Sequence, residues 1–258
     1  MRPVKLWLAA VIAAFVIAAG VGVGVLWQTL ENPDALWTVV QRCVAAKQHG
    51  HTLRAGCLSV DLKDQIAILP GLIGGRWHFL AVPTVRITGI EDPKVMDPHA
   101  PNYWALAWVA AQHYLPSRVT KDRTRIGLAV NSEVGRSQNQ LHIHIACLKM
   151  GVRLELAADE DRFGPSWSAP ILVYGPQMYR VMRVEGDTLD GVDPFTLLLR
   201  VPGAADEIGA HTLVVTGATW DRGVKRGFYI LDDRASDTPD GPDHGHGEDL
   251  LDENCRSR

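Results

Sequence analysis

Residues 140–148, QLHIHIACL, alternate polar and aliphatic side chains along most of their length. Successive side chains of a β-strand point to opposite faces, so this alternation is typical of a strand with one face in the core. The aliphatic side chains would enter the core, and the other face would carry Gln140, His142 and His144. The pattern therefore predicts a strand that holds two histidines next to each other on a rigid element.

A second apolar run precedes the histidine strand and is predicted to pair with it. RIGLAV, residues 125–130, has the composition of a strand, and residues 131–139 form a polar stretch around Gly135. A polar, glycine-containing connection between two strands indicates a hairpin. We therefore expect the two runs to lie side by side and antiparallel.

The residue types in and before the histidine strand have the chemistry of a phosphate site. Neutral imidazole is a nucleophile near neutral pH because its ordinary pKa is about 6.5. A second imidazole can protonate or hydrogen-bond a phosphate oxygen or a leaving group. Asn131 and Ser137 add hydrogen-bond donors for an anionic phosphate. These residues favour a reactive centre with His142 and His144 as its catalytic side chains.

Two other interpretations of the paired histidines stay open. A His-x-His pair on an exposed strand is often incidental. Such a pair can also chelate zinc, but the local motif contains no third histidine and no nearby carboxylate. The expectation from the sequence is therefore that no metal is bound.

The rest of the first half, to about residue 150, is predicted to mix helices and strands. Helices are predicted over residues 30–48, starting at Asn32-Pro33-Asp34, and over residues 102–115, where Asn102 can cap the first turn. Strands are predicted over residues 77–83 and 85–90, followed by a Pro-rich loop. Trp77, Tyr103, Trp104 and Trp108 are expected in the core rather than at a lipid surface.

The second half, residues 151–233, repeats this order of elements. It contains a predicted strand, an acidic loop ending in proline, the start of a helix and a hairpin, at residues 179–184, 185–194, 195–203, 211–220 and 226–233. The likeness lies in the pattern and not in residue identity. We interpret it as an internal duplication whose second copy has lost the paired histidines.

The C-terminal stretch, residues 232–255, is acidic and rich in proline and glycine. His244 and His246 lie among carboxylates there, so a metal-binding tail is conceivable. The composition favours a solvated, mobile loop, because it offers little apolar surface for a core.

The N-terminus has the length and composition of a membrane anchor. Residues 6–27 contain no charged side chain, and Arg2 and Lys5 precede them. At about 1.5 Å per residue, such a helix spans the roughly 30 Å hydrocarbon core, whereas the apolar region of a cleaved signal peptide is usually about 7–15 residues. We predict an uncleaved, single-pass anchor, with residues 1–5 in the cytoplasm and the domain from residue 30 to 258 on the other side.

Four cysteines, Cys43, Cys57, Cys147 and Cys255, fit an oxidising compartment. Three pairings of four cysteines are possible. Pairing Cys43 with Cys57 needs little loop closure, and Cys147 with Cys255 would then join the C-terminus to the histidine strand. These two disulfides are the favoured pairing, and the spacing does not match a zinc-binding Cys-x-x-Cys motif.

The charge distribution argues against a nucleic-acid partner. The formal net charge is −3, and lysine and arginine are dispersed without a basic run. Extended binding to a phosphate backbone needs a basic patch or stripe. The sequence therefore predicts a membrane-anchored protein that does not bind nucleic acid.

NSEVGRSQNQLHIHIAC, residues 131–147, resembles the histidine-triad superfamily, whose members transfer nucleotidyl groups through a histidine on a strand. More closely, the chain resembles the bacterial CDP-diacylglycerol pyrophosphatase family. That resemblance extends to PTVRITGIEDP (83–93), PNYWALAW (101–108), the N-terminal anchor and the four cysteines. It implies an α+β fold in which a histidine-triad-like antiparallel sheet has helices on its flanks.

The resemblance also implies roles for individual residues. In the superfamily a serine stands three residues before the first member of the triad, so Ser137 places that member at Gln140. His142 would then be the nucleophile, and Asn131, Ser137 and His144 would contact the substrate phosphate. In the alternative register, His142 is the first member and the last position falls on an alanine.

Gln140 departs from the superfamily, which usually has histidine at this position. Glutamine can hydrogen-bond a phosphate but cannot titrate. The departure puts in doubt a proton-transfer or tautomer-fixing role for the first position, and affects the nucleophile less.

The function implied is hydrolysis of CDP-diacylglycerol to CMP and phosphatidate through a cytidylyl-histidine, without a cofactor. The substrate would be met at the bacterial inner membrane by a periplasmic catalytic domain. Two alternatives are a periplasmic hydrolase of soluble nucleotide diphosphates and a non-catalytic, membrane-anchored binding module.

Overall fold

The histidine strand lies in the interior of a ten-stranded antiparallel sheet. The computed structural model describes residues 32–53, 56–71, 74–175, 177–238 and 241–256. The strands run in the order β1-β2-β3-β5-β4-β8-β9-β7-β6, and β12 pairs with the end of β5. The fold is thus mixed α/β with a large antiparallel sheet and few helices, as the sequence predicts in outline.

The sheet contains strands from both halves of the chain. Their bounds are β1 Ser59–Asp61, β2 Ile66–Pro70, β3 Phe79–Pro83, β4 Ile126–Val130, β5 Ile143–Leu148, β6 Ile171–Tyr174, β7 Gln177–Glu185, β8 His211–Trp220, β9 Lys225–Arg234 and β12 Leu251–Asp252. A separate two-stranded sheet pairs β10 Ser236–Thr238 with β11 Gly241–Asp243.

The helices of the described residues are short and lie between the strands. The α-helices are α1 Ala35–Gln48, α2 Tyr103–Tyr114, α3 Ser117–Thr120, α4 Met150–Ala158 and α5 Pro194–Leu198. The 3₁₀-helices are Pro93–Met96, Arg123–Arg125, Glu160–Arg162, Ala204–Asp206, Ile208–Ala210 and Gly247–Leu250. The side chain of Asn102 accepts a hydrogen bond from the backbone N–H of Ala105, which confirms the predicted cap of α2.

The alternation along β5 separates two hydrophobic cores. Ile143, Ile145 and Cys147 belong to the main core, which also contains the predicted core aromatics Tyr103, Trp104 and Trp108, with Trp77 packed against it. Ala146 and Leu148 belong to a second core on the other face of the sheet. The predicted hairpin of β4 and β5 is confirmed, with Ala129 opposite His144.

The predicted strand at residues 85–90 is wrong. β3 pairs with β2 along one edge and β5 along the other, so the chain that follows β3 has no free strand edge in this part of the sheet. Instead, the Val85 carbonyl accepts a hydrogen bond from the Gln140 side chain, and the Ile87 carbonyl accepts one from the Leu141 backbone. The apolar pattern reflects burial of Ile87 and Ile90 in the main core.

The two halves of the sheet have the same arrangement. In the first half the β2–β3 hairpin, helix α2 and the β4–β5 hairpin follow one another, and β5 lies beside β3. In the second half the β6–β7 hairpin, helix α5 and the β8–β9 hairpin follow one another, and β9 lies beside β7. The halves meet where β4 pairs antiparallel with β8.

The predicted solvated loop at residues 232–255 is wrong, because this segment packs onto the sheet. Leu250 and Leu251 are buried in the second core, and β12 pairs with β5. The Gly247 N–H donates to Thr212 Oγ1, and a Cβ at Gly247 would lie 2.9 Å from that oxygen. The acidic, Pro- and Gly-rich composition gave too little weight to the two adjacent leucines, which supply apolar surface, and to Gly247, which allows close packing. Residues 244–255 are called the C-terminal segment below.

Both favoured disulfides are present. Cys43 in α1 is bonded to Cys57, and Cys147 in β5 is bonded to Cys255. The second disulfide fixes the C-terminal segment to the strand that carries His144. The predicted membrane anchor, residues 6–27, and its flank lie outside the described residues. Within the described part of the chain, no helix has both the length and the apolarity to cross a bilayer.

Asp233 at the end of β9 is a buried acid whose ionisation opposes folding. Burial raises the pKa of Asp233 to about 8, and the neighbouring Asp243 carboxyl adds to this rise. The unfolded chain ionises this group near pH 4, so it releases a proton on unfolding between about pH 4 and pH 8. This group therefore makes the protein less stable as the pH rises through that window.

We expect Asp233→Asn to stabilise the protein, and to do so more at pH 8 than at pH 4.5. The added gain at the higher pH should be about 1–3 kcal/mol in the free energy of unfolding, because asparagine stays neutral. Urea unfolding at both pH values measures it, with Asp206→Asn, an exposed acid, as the control. An equal effect at the two pH values would contradict this assignment.

Candidate active site

His142 lies directly before β5, and its ring is oriented by the backbone. Its Nδ1 is 2.7 Å from the carbonyl oxygen of Gln140. A carbonyl only accepts, so Nδ1 carries the proton and Nε2 keeps its lone pair. Burial lowers the pKa of His142, with the Gln140 hydrogen bond acting in the opposite direction. The ring therefore holds a neutral, nucleophilic Nε2, and 9% of the residue remains exposed.

His144 lies two residues after His142, within β5, and is paired with Leu80 of β3 on one side and Ala129 of β4 on the other. Its Nδ1 is 2.9 Å from His78 Nε2 and 3.1 Å from Glu248 Oε2. Burial lowers the pKa of His144 well below its ordinary value, and His142 adds to the effect. Its Nε2 is buried and has no hydrogen-bond partner among the described residues.

His78 brings a third imidazole to the site from the residue before β3. Its Nδ1 is 3.1 Å from Glu253 Oε1, and Glu253 Oε2 accepts a hydrogen bond of 2.8 Å from the Gly75 N–H. A Cβ at Gly71 or Gly74 would lie 2.3 or 2.7 Å from His78 Nδ1. These two glycines therefore leave the space in which the ring is held.

The C-terminal segment supplies two carboxylates to the site. Glu253 contacts His78, as described, and Glu248 contacts His144. Asn131 orients Glu248, because its Nδ2 donates to Glu248 Oε1 over 2.9 Å and its Oδ1 accepts from the Glu248 backbone N–H. The site is consequently covered by this segment, and the histidine face is not the exposed strand surface considered from the sequence.

The remaining two predicted site residues lie in different surroundings. Ser137 is exposed in the loop between β4 and β5. The Gln140 side chain is fully buried, and its amide group donates to the carbonyls of Pro83 and Val85 over 3.0 Å each. Ser137, Gln140 and Asn131 as phosphate ligands stay predictions. The rings of His142 and His144 are neighbours, and Asn131 is joined to His144 through Glu248.

Three functional candidates, His78, Glu248 and Glu253, were missed by the sequence analysis. His78 belongs to a predicted strand but has no partner in the motif, and its place follows only from the pairing of β3 with β5. A signal for the carboxylates did exist, because a Cys147–Cys255 disulfide brings the C-terminal segment to the histidine strand. The argument that a third histidine and a carboxylate are missing holds only for the local motif.

His78, His144 and Glu248 are also the residues that could hold a metal ion. Each offers one ligand atom, and these atoms lie within 4.8 Å of one another. Zinc accepts imidazole and carboxylate ligands. The histidine pair meets nearly in one plane, with its nitrogens at hydrogen-bond distance, which fits a shared proton better than two ligands of one ion.

Comparisons with known proteins agree on one family. A family model described as CDP-diacylglycerol pyrophosphatase matches residues 31–258. A protein of Yersinia pestis named CDP-diacylglycerol pyrophosphatase is 34% identical over 230 residues, which cover 87% of this chain and 85% of that protein. The matched region includes every residue of the site described above.

Proposed function

The chain belongs to the CDP-diacylglycerol pyrophosphatase family and hydrolyses CDP-diacylglycerol, and we propose that the reaction passes through a cytidylyl group on His142. One observation carries this proposal. The hydrogen bond from His142 Nδ1 to the Gln140 carbonyl fixes the tautomer in which Nε2 has a free lone pair. A neutral nucleophile on a rigid strand is what covalent catalysis requires.

In the first displacement, His142 Nε2 attacks the phosphorus that bears the cytidine. The N–P bond forms as the bond from that phosphorus to the bridging oxygen breaks, and phosphatidate leaves. In the second displacement, water attacks the same phosphorus, the N–P bond breaks and CMP is released. Each step replaces one bond at phosphorus, so the single hydrolysis becomes two transfers.

The charge on the reacting phosphate would be stabilised by side chains around His142. We propose that His144, Asn131 and Ser137 act as hydrogen-bond donors in this role. Arg136 is close enough for its charge to lower the pKa of His142, and its guanidinium is held by Glu91 through contacts of 2.6 and 2.7 Å. A fixed positive charge nearby favours the additional negative charge of the transition state.

We also propose that the enzyme acts at the bacterial inner membrane, with its domain in the periplasm. The apolar residues 6–27 support this proposal, as do the two disulfides, since disulfides persist mainly in oxidising compartments. The acyl chains of CDP-diacylglycerol remain in the bilayer while its nucleotide projects outward. Tethering the domain to that surface would raise the effective concentration of substrate.

We propose a histidine-triad-like origin with an internal duplication, and the repeated order of elements supports the duplication. The two halves share one order of hairpin, helix and hairpin and meet at the antiparallel β4–β8 pair. We propose that the first half kept the histidines, and that the second half now completes the sheet and supplies Thr212, which anchors the C-terminal segment at Gly247.

The stereochemical course at phosphorus tests the covalent intermediate. With CDP-diacylglycerol that carries a chiral thiophosphate at the cytidine-bearing phosphorus, hydrolysis in isotopically labelled water should proceed with net retention. Two in-line displacements each invert the phosphorus, whereas direct attack by water inverts it once. In parallel, alkaline quenching of the full-length enzyme should trap the cytidylyl group on the peptide that contains His142. Net inversion would contradict the proposal even if the intermediate were short-lived.

A further inference from the structure

His78 and His144 meet edge to edge. Their rings are inclined by only 6°, and their centroids are 5.2 Å apart while the facing nitrogens are 2.9 Å apart. The centroid distance exceeds the nitrogen–nitrogen distance by about two ring radii, so both nitrogens lie on the line between the ring centres. A single proton on that line makes a nearly linear hydrogen bond.

Glu253 determines which protons His78 carries. A carboxylate accepts, so the contact of Glu253 with His78 Nδ1 places a proton on Nδ1 and leaves Nε2 for His144. The proton between the rings can then belong to His78 Nε2 or to His144 Nδ1. In the first case His78 is an imidazolium and neutral His144 carries its own proton at Nε2, so the pair holds one more proton than in the second case. In the second case His144 Nδ1 carries the proton, Glu248 accepts from it, and His144 Nε2 presents a lone pair.

The protonation of His144 Nε2 therefore depends on the position of the proton between His144 Nδ1 and His78 Nε2. His144 Nε2 is buried without a hydrogen-bond partner among the described residues, and the centre of the His144 ring lies 4.8 Å from that of the His142 ring. A proton acquired by the His78–His144 pair is compensated by Glu253 beside His78 Nδ1 and by Glu248 beside His144 Nδ1, next to the junction of the two rings. Without these two carboxylates, an additional charge in so buried a place would be strongly disfavoured.

We propose that His78, oriented by Glu253, is a positioning residue that passes a proton to and from His144 during hydrolysis. The inference rests on the proposed function and extends it. Gln140 cannot titrate, and His78 supplies from a neighbouring strand the third imidazole that the histidine motif lacks.

The proton between the rings moves from His78 to His144 in the first displacement and back to His78 in the second. The pair begins with an added proton, so that His78 is an imidazolium and His144 is neutral with its proton on Nε2. As phosphatidate leaves, His144 Nε2 gives its proton to the bridging oxygen, and His144 Nδ1 takes the proton of His78 Nε2. As water attacks, it gives a proton to His144 Nε2, and the Nδ1 proton returns to His78 Nε2. His78 keeps its Nδ1 proton on Glu253 throughout, so one water is consumed and the pair ends as it began.

A change of leaving group separates this relay from a structural role. The two substrates are CDP-diacylglycerol and the p-nitrophenyl ester of CMP, whose leaving group departs without a proton. In His78→Gln, the first turnover of CDP-diacylglycerol should slow about 100-fold, the usual size of a proton-transfer contribution. With the p-nitrophenyl ester, the rate at which His78→Gln releases nitrophenol in the first turnover (the nitrophenol burst) should stay within about threefold of wild type, because the attack by His142 needs no relay.

Glu253→Gln should show the same selectivity with a smaller loss, and Asp249→Asn, an exposed acid of the same segment, should behave as wild type. Equal losses on both substrates, or full activity of His78→Gln, would overturn the relay. So would one tightly held transition metal per wild-type chain that is absent from His78→Gln. The proposed function fails in a different way, if wild type hydrolyses with net inversion at phosphorus or if His142→Ala still forms the cytidylyl enzyme.

Discussion

The variant His142→Gln is expected to lose roughly 10⁴-fold or more of the turnover of CDP-diacylglycerol, because it removes the side chain proposed to form the phosphorus–nitrogen bond. Glutamine retains a polar side chain of similar length beside the Gln140 carbonyl, so the fold should persist. The loss should therefore appear in the rate of CMP release from vesicles, with an unchanged circular dichroism spectrum and melting temperature.

The matched control for this variant is His99→Gln. His99 is exposed in the loop before α2, so the same chemical change is made away from the sheet. This control should keep wild-type turnover. If His142→Gln kept more than about a tenth of wild-type activity, His142 would be excluded as the nucleophile, since loss of a covalent nucleophile usually removes far more.

Gln140 is compatible with the proposed mechanism, because the atom of Gln140 that contacts His142 belongs to the backbone. The atom that fixes the tautomer of His142 is the Gln140 carbonyl oxygen, which every amino acid possesses. The Gln140 side chain instead donates to the carbonyl of Pro83 at the end of β3 and to that of Val85 just after it. In the proposed mechanism the backbone therefore takes the tautomer-fixing role, and only the proton-transfer role needs a substitute.

The sequence predicted the elements whose signals are local. The alternation in residues 140–148 predicted which side chains of β5 enter the core, and Asn102 predicted the start of α2. The cysteine pairing was also predictable, because short loop closure favours Cys43 with Cys57 and leaves the other two. In each case the deciding information lies within a few residues or in a small number of alternatives.

The sequence could not predict contacts that depend on long-range register. His78 reaches His144 only because Leu80 of β3 lies opposite His144 of β5, and a shift of one residue would turn His78 to the other face. Residues 85–90 read as a strand because burial of Ile87 and Ile90 imitates a strand pattern. Glu248 and Glu253 are more than 100 residues from the histidines, and their acidic surroundings suggested a solvated loop instead.

The double variant Cys147→Ala/Cys255→Ala is expected to lower the free energy of unfolding by about 2–5 kcal/mol. The disulfide closes a sequence separation of 108 residues, and a loop of about that length carries close to the largest entropic effect of a single crosslink. Urea unfolding measures the loss. Turnover should fall as well, because Glu253 is two residues from Cys255 and Glu248 is seven, and both would lose their fixed positions beside His78 and His144.

The double variant Cys43→Ala/Cys57→Ala is the control, since it removes a disulfide that closes a separation of only 14 residues in a core without site residues. Its stability loss should be smaller, about 3 kcal/mol or less, and its turnover at a temperature where it is folded should match wild type. Comparing the two variants separates the general stability lost with a disulfide from the activity lost when the carboxylates of Glu248 and Glu253 are no longer held in place. If the Cys147/Cys255 variant were less stable but fully active while folded, packing of Leu250 and Leu251 alone would suffice to hold the C-terminal segment on the site.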